Sequence, residues 1–414
     1  MKKIWAKLKG DRTIWVMVLF LYIVSILAVY SSTGTLAYRF RAGNTEYYAL
    51  RHFIIIIFGV GLLYVSHLVK YTYYSRISQL ALYVAVPLLL FTLIKGTSVH
   101  EASRWITLPI INLSFQSSDL AKLALIIYLA RLLTKKQEII YDMKQAFIPL
   151  AFPVILICAL IMPANFSTAA VLLVTSSVLM FIGRVRVKHI MSLLGVSLVA
   201  TALFVLVMGS MPESGRVQTW QNRITSFVDR ENANTYQADQ AKIAIATGGV
   251  IGKLPGNSTQ RNYLPQAYSD FIYAIIIEEY GLIGGFLVLL FYLIILYRGI
   301  RIAHKCRGTF GALLAAGLTF SLVFQALINM AVAVNLLPVT GQQLPLVSMG
   351  GTSLWFTSLS IGIILSVSHS VEKDRENENQ LKNVNGDLQH QDVEGEKNLT
   401  YNLNDEILEE DDNE

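Results

Sequence analysis

The chain has 414 residues, of which 54% are hydrophobic and 15% charged, and its mean hydropathy is +0.50. Because a typical soluble domain carries about 25% charged residues, this composition indicates a polytopic membrane protein. The net charge of +6 does not indicate nucleic-acid binding, since no basic stripe is interleaved with aromatic residues. The two cysteines, Cys158 and Cys306, are too few for a disulfide framework.

Apolar segments recur along the chain at lengths close to the thickness of a bilayer. A helix needs about 20 residues to cross a membrane. The pattern predicts an all-α membrane protein with about ten transmembrane helices, at 13–31, 53–69, 77–94, 120–133, 147–162, 167–182, 190–208, 271–297, 310–334 and 353–370. The eighth segment leaves two alternatives open: one tilted helix, or an interfacial helix over 270–279 followed by a span from residue 282.

The distribution of lysine and arginine predicts the orientation. Clusters of basic residues mark one side of the membrane, at 2–12, 70–76, 131–144, 184–188 and 298–307. The positive-inside rule therefore places both termini in the cytoplasm. The long loop over 209–269, between the seventh and eighth spans, is then extracytoplasmic, and Asp270 faces outward.

Three parts of the chain follow from this reading. They are a cytoplasmic N-terminus over 1–12, a membrane domain over 13–371 and a cytoplasmic tail over 372–414. After Ser370 the sequence has 15 acidic and 4 basic residues. Such a segment has too few apolar residues to offset the entropy of ordering, so we predict a disordered acidic tail.

The stretch "HEASRWITLPIINLSFQSSDLAKLALIIYLAR", over 100–131, places polar and charged residues at a predicted helix start. Asp119 and Lys122 are three residues apart and share a helix face. One alternative is structural, with Asp119 capping the helix and Lys122 pairing with it or reaching the interface. The other is functional, with Arg104 and Lys122 holding a phosphate group at the outer face.

Glycines recur in "QADQAKIAIATGGVIGKLPGNSTQRNYLPQ", within the long loop. They include Gly248, Gly249 and Gly252, followed by Lys253, but the Walker pattern is incomplete because no Ser or Thr follows the lysine. One alternative is that the glycines form turns. The other is that backbone N–H groups, together with Lys242 or Lys253, approach an anionic headgroup.

Three carboxylates, Asp270, Glu278 and Glu279, lie in "LPQAYSDFIYAIIIEEYGLIGG". If a helix continues from Asp270, Glu278 lies about 12 Å away, so the three cannot form a close catalytic dyad. We interpret Asp270 as a single general base at the outer interface, with a plain helix cap as the alternative. The two glutamates are expected to bond internally and to hold the helix.

The stretch "LPVTGQQLPLVSMGGTSLW", over 337–355, has two prolines and three glycines at membrane depth. Irregular backbone is tolerated there only when it is buried in protein or lines a cavity, so we expect a cavity near the outer leaflet. A second, tight break between spans falls at "MPANFSTAA", over 162–170. The sequence contains no zinc signature and no nucleophile elbow.

At these motifs the chain resembles the SEDS family, the shape, elongation, division and sporulation polymerases of the bacterial cell wall. The resemblance is carried by "SRWITL...FQSSDLAKLALIIYLA", "LPQAYSDFIYAIIIEEYGLIGG" and "LLPVTGQQLPLVSMGGTSL", which occur in the family's order. It covers about residues 11–370 and implies a ten-helix bundle with both ends inside. The stretch "VYSSTGTLAYRFRAGNTEYYALRHF" is more similar to the division member than to the elongation member.

The resemblance also implies roles for individual residues. The family's essential aspartate falls on Asp270, the predicted catalytic residue. Asn165 and Gln266 stand where the family carries carboxylates, which disfavours a role for them as bases or metal ligands. The residues predicted to bind substrate are Arg104, Trp105, Gln116, Asp119, Lys122, Lys242, Ser348, Gly350 and Gly351. For cofactors two alternatives stay open: none, or a divalent cation, Mg²⁺ or Mn²⁺.

The activity that the resemblance implies is peptidoglycan glycosyltransfer from lipid II to β-1,4-linked glycan during cell division. The implied partners are lipid II, a class B penicillin-binding protein (a transpeptidase) and other divisome proteins. The expected location is the bacterial inner membrane at the division septum. The alternatives are a lipid II flippase or other transporter, the elongation polymerase, and a scaffold for a partner synthase.

Overall fold

The computed structural model describes residues 9–41, 43–95, 97–99, 102–108, 113–209 and 236–380. For residues 39–41, 95, 97–99, 102–108, 113–114 and 207–209 it describes the backbone alone. Statements below on helices, strands, contacts and cavities concern these residues. The predictions for 1–8, for 210–235 in the long loop and for 381–414 in the tail lie outside them.

The described residues form twelve α-helices and one small sheet. The helices are α1 Arg12–Ser32, α2 Gly34–Arg41, α3 Thr45–Leu68, α4 Tyr71–Lys95, α5 Ser117–Lys135, α6 Ile148–Ile161, α7 Phe166–Ile182, α8 Val187–Gly209, α9 Tyr236–Gly248, α10 Ile272–Lys305, α11 Thr309–Ala333 and α12 Thr352–Gln380. The strands are β1 Thr97–Val99, β2 Ala102–Leu108 and β3 Leu113–Gln116. The predicted all-α class is confirmed apart from the short sheet.

Each of the ten predicted spans lies on one helix, and eight helices are long and apolar enough to cross a membrane. The other two are α7, which has 17 residues, and α5, which carries four charged side chains. Helix α6 reaches the necessary length together with the π-helical turn Met143–Phe147 that precedes it. Aliphatic side chains such as Ile54, Leu80 and Leu198 are exposed on the outside of the bundle. In a chain of this composition, such a surface matches the hydrocarbon of a bilayer.

Helix α5 lies at the centre of the bundle although it is less apolar than its neighbours. It packs against α4, α6, α7 and α11, and Leu125, Leu129 and Leu133 on it are fully buried. Its charged first turn is therefore surrounded by protein, where the cost of a charge is lowered by polar partners. The centre of the bundle thus holds the polar residues that the sequence singled out.

The sheet connects α4 to α5. Strand β2 pairs antiparallel with both β1 and β3, and Trp105 lies opposite Gln116. Gln116 immediately precedes α5. The strand that carries Arg104 and Trp105 is therefore held beside the start of α5. The side chains of Arg104 and Trp105 lie outside the described residues.

Helix α10 is broken at Gly281, where φ is 68° and ψ is −173°, a conformation essentially restricted to glycine. The break agrees with the predicted span from residue 282. The short half, however, is not an interfacial helix, because its side chains, including Ile275 and Glu278, are buried inside the protein. It packs against α9 and α11.

The glycine-rich loop after α9 satisfies the backbone groups that this break leaves without helical partners. Its Gly249 carbonyl accepts from Leu282 N at 2.9 Å, and its Lys253 and Leu254 N–H groups donate to the carbonyls of Glu278 and Glu279, each at 2.9 Å. A Cβ at Gly281 would collide with the Val250 carbonyl. The close approach therefore requires glycine at 281. In the loop itself, Gly249 and Gly252 have φ of +56° and +91°, which confirms the turn interpretation.

Polar contacts join the start of α1 to the C-terminal parts of α10 and α12. Asp11 caps α1 through Thr13 N at 2.9 Å and also accepts from Arg298 Nε at 2.7 Å. Gly10 N donates to Glu372 at 3.1 Å.

Helix α12 runs on to Gln380, so the predicted disordered tail, 372–414, is helical at its start. Glu378 in this extension pairs with Arg307.

Candidate active site

The first turn of α5 carries an ion pair. Lys122 Nζ lies 2.7 Å from Asp119 Oδ1, and the two side chains are only 16% and 4% exposed. Lys122 also donates to Gln325 Oε1 on α11 at 3.3 Å. Asp119 is not the cap, because Gln116 precedes the helix and makes no side-chain capping bond. The pairing predicted from the spacing is confirmed, and the capping is wrong.

A small, open cavity with about 50 Å³ accessible to water lies between α5, α11 and α12. It combines the ion pair with hydroxyl and amide groups over an aliphatic floor. Polar residues in its lining include Asp119, Lys122, Ser321, Gln325, Ser353 and Thr357. Seven of its thirteen lining residues are polar or charged, and polar groups that converge in one pocket are typical of a ligand site.

Asp270 is half-buried and lies two residues before α10. The cap position of the helix is Phe271, which makes no side-chain capping bond, so Asp270 lies one residue before the cap. Ser269 Oγ donates to Asp270 Oδ1 at 2.9 Å. Burial raises the pKa of the neighbouring Tyr268, and the Asp270 carboxylate raises it further. The Asp270 carboxylate thus stands close to a phenol and a hydroxyl.

The irregular stretch before α12 packs directly against the segment that carries Asp270. Ser348 Oγ donates to Ser269 O at 2.6 Å and accepts from Leu344 N at 2.8 Å. Met349 N donates to Tyr268 O at 3.0 Å. The Ser348 hydroxyl is thus engaged in both directions and holds the backbone beside Asp270.

The two glycines that follow Met349, Gly350 and Gly351, are required for different reasons. Gly351 has φ +52°, whereas a Cβ at Gly350 would collide with the Gln343 side chain. Substrate binding by Ser348, Gly350 and Gly351 stays a prediction.

Two amides on α11 connect the Lys122 cavity, the Asp270 segment and the irregular stretch before α12. The sequence analysis missed both. Gln325 Nε2 donates to Gln343 O at 3.1 Å. Asn329 Nδ2 donates to Asp270 O at 2.8 Å and to Gln342 O at 2.6 Å. The available signal was a pair of amides spaced by four residues in a mostly apolar helix, which places them on one face.

The two glutamates form a separate buried network. Glu278 pairs with Lys253 at 2.7 Å and accepts from Ser258 Oγ at 2.5 Å and Thr259 N at 3.1 Å. Glu279 accepts from Ser31 on α1. The prediction that the glutamates bond internally is confirmed. Lys253 is engaged by Glu278, which disfavours its proposed contact with a headgroup.

The remaining predicted positions are more peripheral. Lys242 pairs with Asp239 at 3.0 Å on the exposed face of α9, and substrate binding by Lys242 stays a prediction. Asn165 caps α7 through Thr168 N at 3.2 Å, which explains the tight break there. Within the described ranges, no three His, Cys, Asp or Glu side chains come together in a group that could hold a metal ion.

The fold and the site define a class: a polytopic helical membrane protein with a cation-bearing polar cavity and a half-buried carboxylate held nearby. A family model named FTSW_RODA_SPOVE and described as "Cell cycle protein" matches residues 11–373. The chain therefore belongs to the FtsW/RodA/SpoVE family, and the resemblance seen in the sequence is confirmed.

Curated relatives cover most of the chain. Stage V sporulation protein E of Bacillus subtilis is 32% identical over 372 residues, which are 87% of this chain and 98% of the relative. A probable peptidoglycan glycosyltransferase FtsW of Trichlorobacter lovleyi is 34% identical over 367 residues, 86% of this chain and 93% of the relative. Several other relatives carry the same FtsW name.

Solved structures share the fold. A chain from a structure titled "Structural coordination of polymerization and crosslinking by a peptidoglycan synthase complex" gives a TM-score of 0.68 at 22% identity, covering 87% of this chain and 98% of that one. RodA of Thermus thermophilus gives 0.63 at 22% identity, covering 87% and 97%. At these identities the likeness concerns the fold alone.

Proposed function

We propose that this protein is a peptidoglycan glycosyltransferase of cell division, which polymerises lipid II into β-1,4-linked glycan and releases undecaprenyl pyrophosphate. Family membership and relatives named as probable peptidoglycan glycosyltransferases support the reaction. The observation that carries the proposal is the placement of Asp270, half-buried and joined through α11 to the Lys122 cavity.

In the proposed reaction, Asp270 takes the proton from the 4-hydroxyl of the acceptor sugar. The oxygen attacks the anomeric carbon of the donor, the bond from that carbon to phosphate breaks, and the diphosphate leaves with the electron pair. Attack from the opposite face inverts the anomeric centre to the β configuration. General-base help contributes typically about 10²–10⁴-fold, and positioning supplies much of the rest.

Lys122 is suited to meet the charge of the departing diphosphate. An ammonium group has three N–H donors, and its contacts with described residues use two of them, to Asp119 and Gln325. The third can donate to a phosphate oxygen. Arg104 is proposed as a second cation by family resemblance. A divalent cation, Mg²⁺ or Mn²⁺, remains a prediction, and no step here depends on it.

The proposed topology has ten crossings, both termini in the cytoplasm and the loop over 209–269 outside. The agreement of ten apolar segments with ten helices and the distribution of basic residues support it. Asp270 then meets lipid-linked sugars on the side where the wall is built. The proposed location is the inner membrane at the septum.

The proposed partners are a class B penicillin-binding protein and other divisome proteins. The structural neighbour from a peptidoglycan synthase complex supports an association of this kind. Co-purification with the cognate transpeptidase, and a comparison of polymer yield with and without it, test this part separately from the chemistry.

A flippase is the rival function, since ionisable residues inside a membrane also suit transport. The internal bonding of Glu278 and Glu279 argues against their lining a transport path. Vesicles that contain the protein and lipid II decide between the two. Glycan chains without net lipid movement support the enzyme, and movement without polymer supports the flippase.

Substitution of Lys122 separates its structural role from its proposed chemical role. Lys122→Met leaves Asp119 buried without its ionic partner, so we expect a loss of about 3 kcal/mol in stability. Asp119→Asn combined with Lys122→Met removes both charges and recovers most of the thermal midpoint, while glycan synthesis stays low. Thermal unfolding and polymerisation are measured on the same preparations. Wild-type synthesis by the double variant contradicts the role of Lys122.

A further inference from the structure

Gln325 and Asn329 each connect two distant segments of the chain. Gln325 accepts from Lys122 Nζ at 3.3 Å and donates to Gln343 O at 3.1 Å. Asn329 donates to Asp270 O at 2.8 Å and to Gln342 O at 2.6 Å. One helix face therefore contacts the proposed base, the proposed cation and two consecutive carbonyls of the irregular stretch.

The spacing of Gln325 and Asn329 on α11 fixes the distance between the two sets of contacts. Residues four apart in a helix lie on the same face, separated by about 6 Å along the axis. The helix cannot easily rotate, because residues beside the two amides, such as Ala326 and Met330, are buried in the core. The positions of Lys122 and of the Asp270 backbone thus depend on one rigid element.

We infer that Gln325 and Asn329 are positioning residues that set the separation between Asp270 and Lys122 required for glycosyl transfer. The inference rests on the proposed function and deepens it. Asn329 holds the carbonyl of Asp270 and thereby the direction from which its carboxylate meets the acceptor hydroxyl. Gln325 orients the ammonium of Lys122 toward the leaving diphosphate.

Packing alone does not require amides at these positions. A buried amide carries a desolvation cost unless it is hydrogen-bonded, and an aliphatic side chain of similar volume would fill the same space. Both amides instead direct their N–H groups at defined carbonyls. Because a displacement of about 1 Å can lower a rate about 10²-fold, such bonds matter more for the reaction than for the fold.

Kinetics on purified full-length variants with lipid II test the inference. Asn329→Leu, of similar volume, is expected to lower kcat about a hundredfold with little change in KM. Asn329→Asp, which keeps the shape but cannot donate when ionised, gives the same result. Gln325→Met is expected to raise KM about tenfold because Lys122 loses its orientation.

Thr319→Val is the matched control, since it removes a buried hydroxyl from the same helix, away from both contacts; its kinetics should equal those of wild type. Wild-type kcat in folded Asn329→Leu or Asn329→Asp, or wild-type KM in Gln325→Met, overturns the inference. Gln325 is only half-buried, so that arm remains decisive if the Asn329 variants do not fold.

The experiments distinguish a failure of the proposed function from a failure of this inference. If the wild-type protein makes no glycan, or Asp270→Asn makes as much as wild type, the proposed function is wrong. If wild type polymerises lipid II, Asp270→Asn does not, and the α11 variants match wild type, only the inference is wrong.

Discussion

Asp270→Asn is expected to reduce glycan synthesis from lipid II about 10²–10⁴-fold, the range that a general base contributes. The amide has nearly the same shape as the carboxylate and can still accept from Ser269 Oγ, which lies 2.9 Å from Asp270 Oδ1. It cannot take a proton from the acceptor hydroxyl. The fold, including the contact from Asn329 to the backbone carbonyl of residue 270, is expected to be retained.

The measurement is polymer length and yield on gels, together with thermal unfolding and binding of lipid II to the same preparation. Glu138→Gln is the matched control, because Glu138 is an exposed carboxylate in the connection after α5 and, in the described part of the chain, none of the predicted site residues contacts it. The control should polymerise like wild type. Normal polymer from a folded Asp270→Asn protein would end the assignment of Asp270 as the base.

Gly281→Ala is expected to cause the largest loss of stability among single substitutions in the broken helix. A backbone with φ 68° and ψ −173° costs a residue with a Cβ about 1–3 kcal/mol. The new methyl group would also collide with the Val250 carbonyl, which lies in the loop that satisfies the broken helix. Because that loop and Glu278 are also linked through Lys253, we expect several contacts to fail together.

Gly61→Ala provides the comparison, since nothing lies within 4 Å of a Cβ built at this exposed helical position. Alanine there is expected to leave stability unchanged or to raise it by about 0.5–1 kcal/mol. Detergent-solubilised protein is assayed by size-exclusion profile and thermal midpoint. If Gly281→Ala melts as wild type does, the break in α10 does not have the importance assigned to it.

Periodicity and hydrophobicity were sufficient to locate the membrane helices, because burial in lipid imposes about 20 apolar residues on each. Helix α5 shows the limit of that signal. Its charged turn is stabilised by Gln325, far away in the sequence, and nothing local indicates such a partner. For the same reason the extension of α12 escaped prediction, since Glu378 pairs with Arg307, which is distant in the sequence.

The candidate site was predictable where its contacts are local in the sequence. The pairing of Asp119 with Lys122 follows from a spacing of three residues on a helix. The polar loops and prolines correctly indicated irregular backbone near Asp270. The contributions of Asn329 and Gln325 did not follow, because their acceptors include backbone carbonyls, which leave no trace in the side-chain pattern.

The most direct test of the central claim is whether position 270 meets lipid II from outside the cell. Asp270→Cys is made in a chain whose Cys158 and Cys306 are replaced by alanine, and sealed spheroplasts are treated with a membrane-impermeant maleimide. We predict labelling from the outside that added lipid II reduces. Labelling only from the cytoplasmic side, or labelling that lipid II leaves unchanged, would contradict the account.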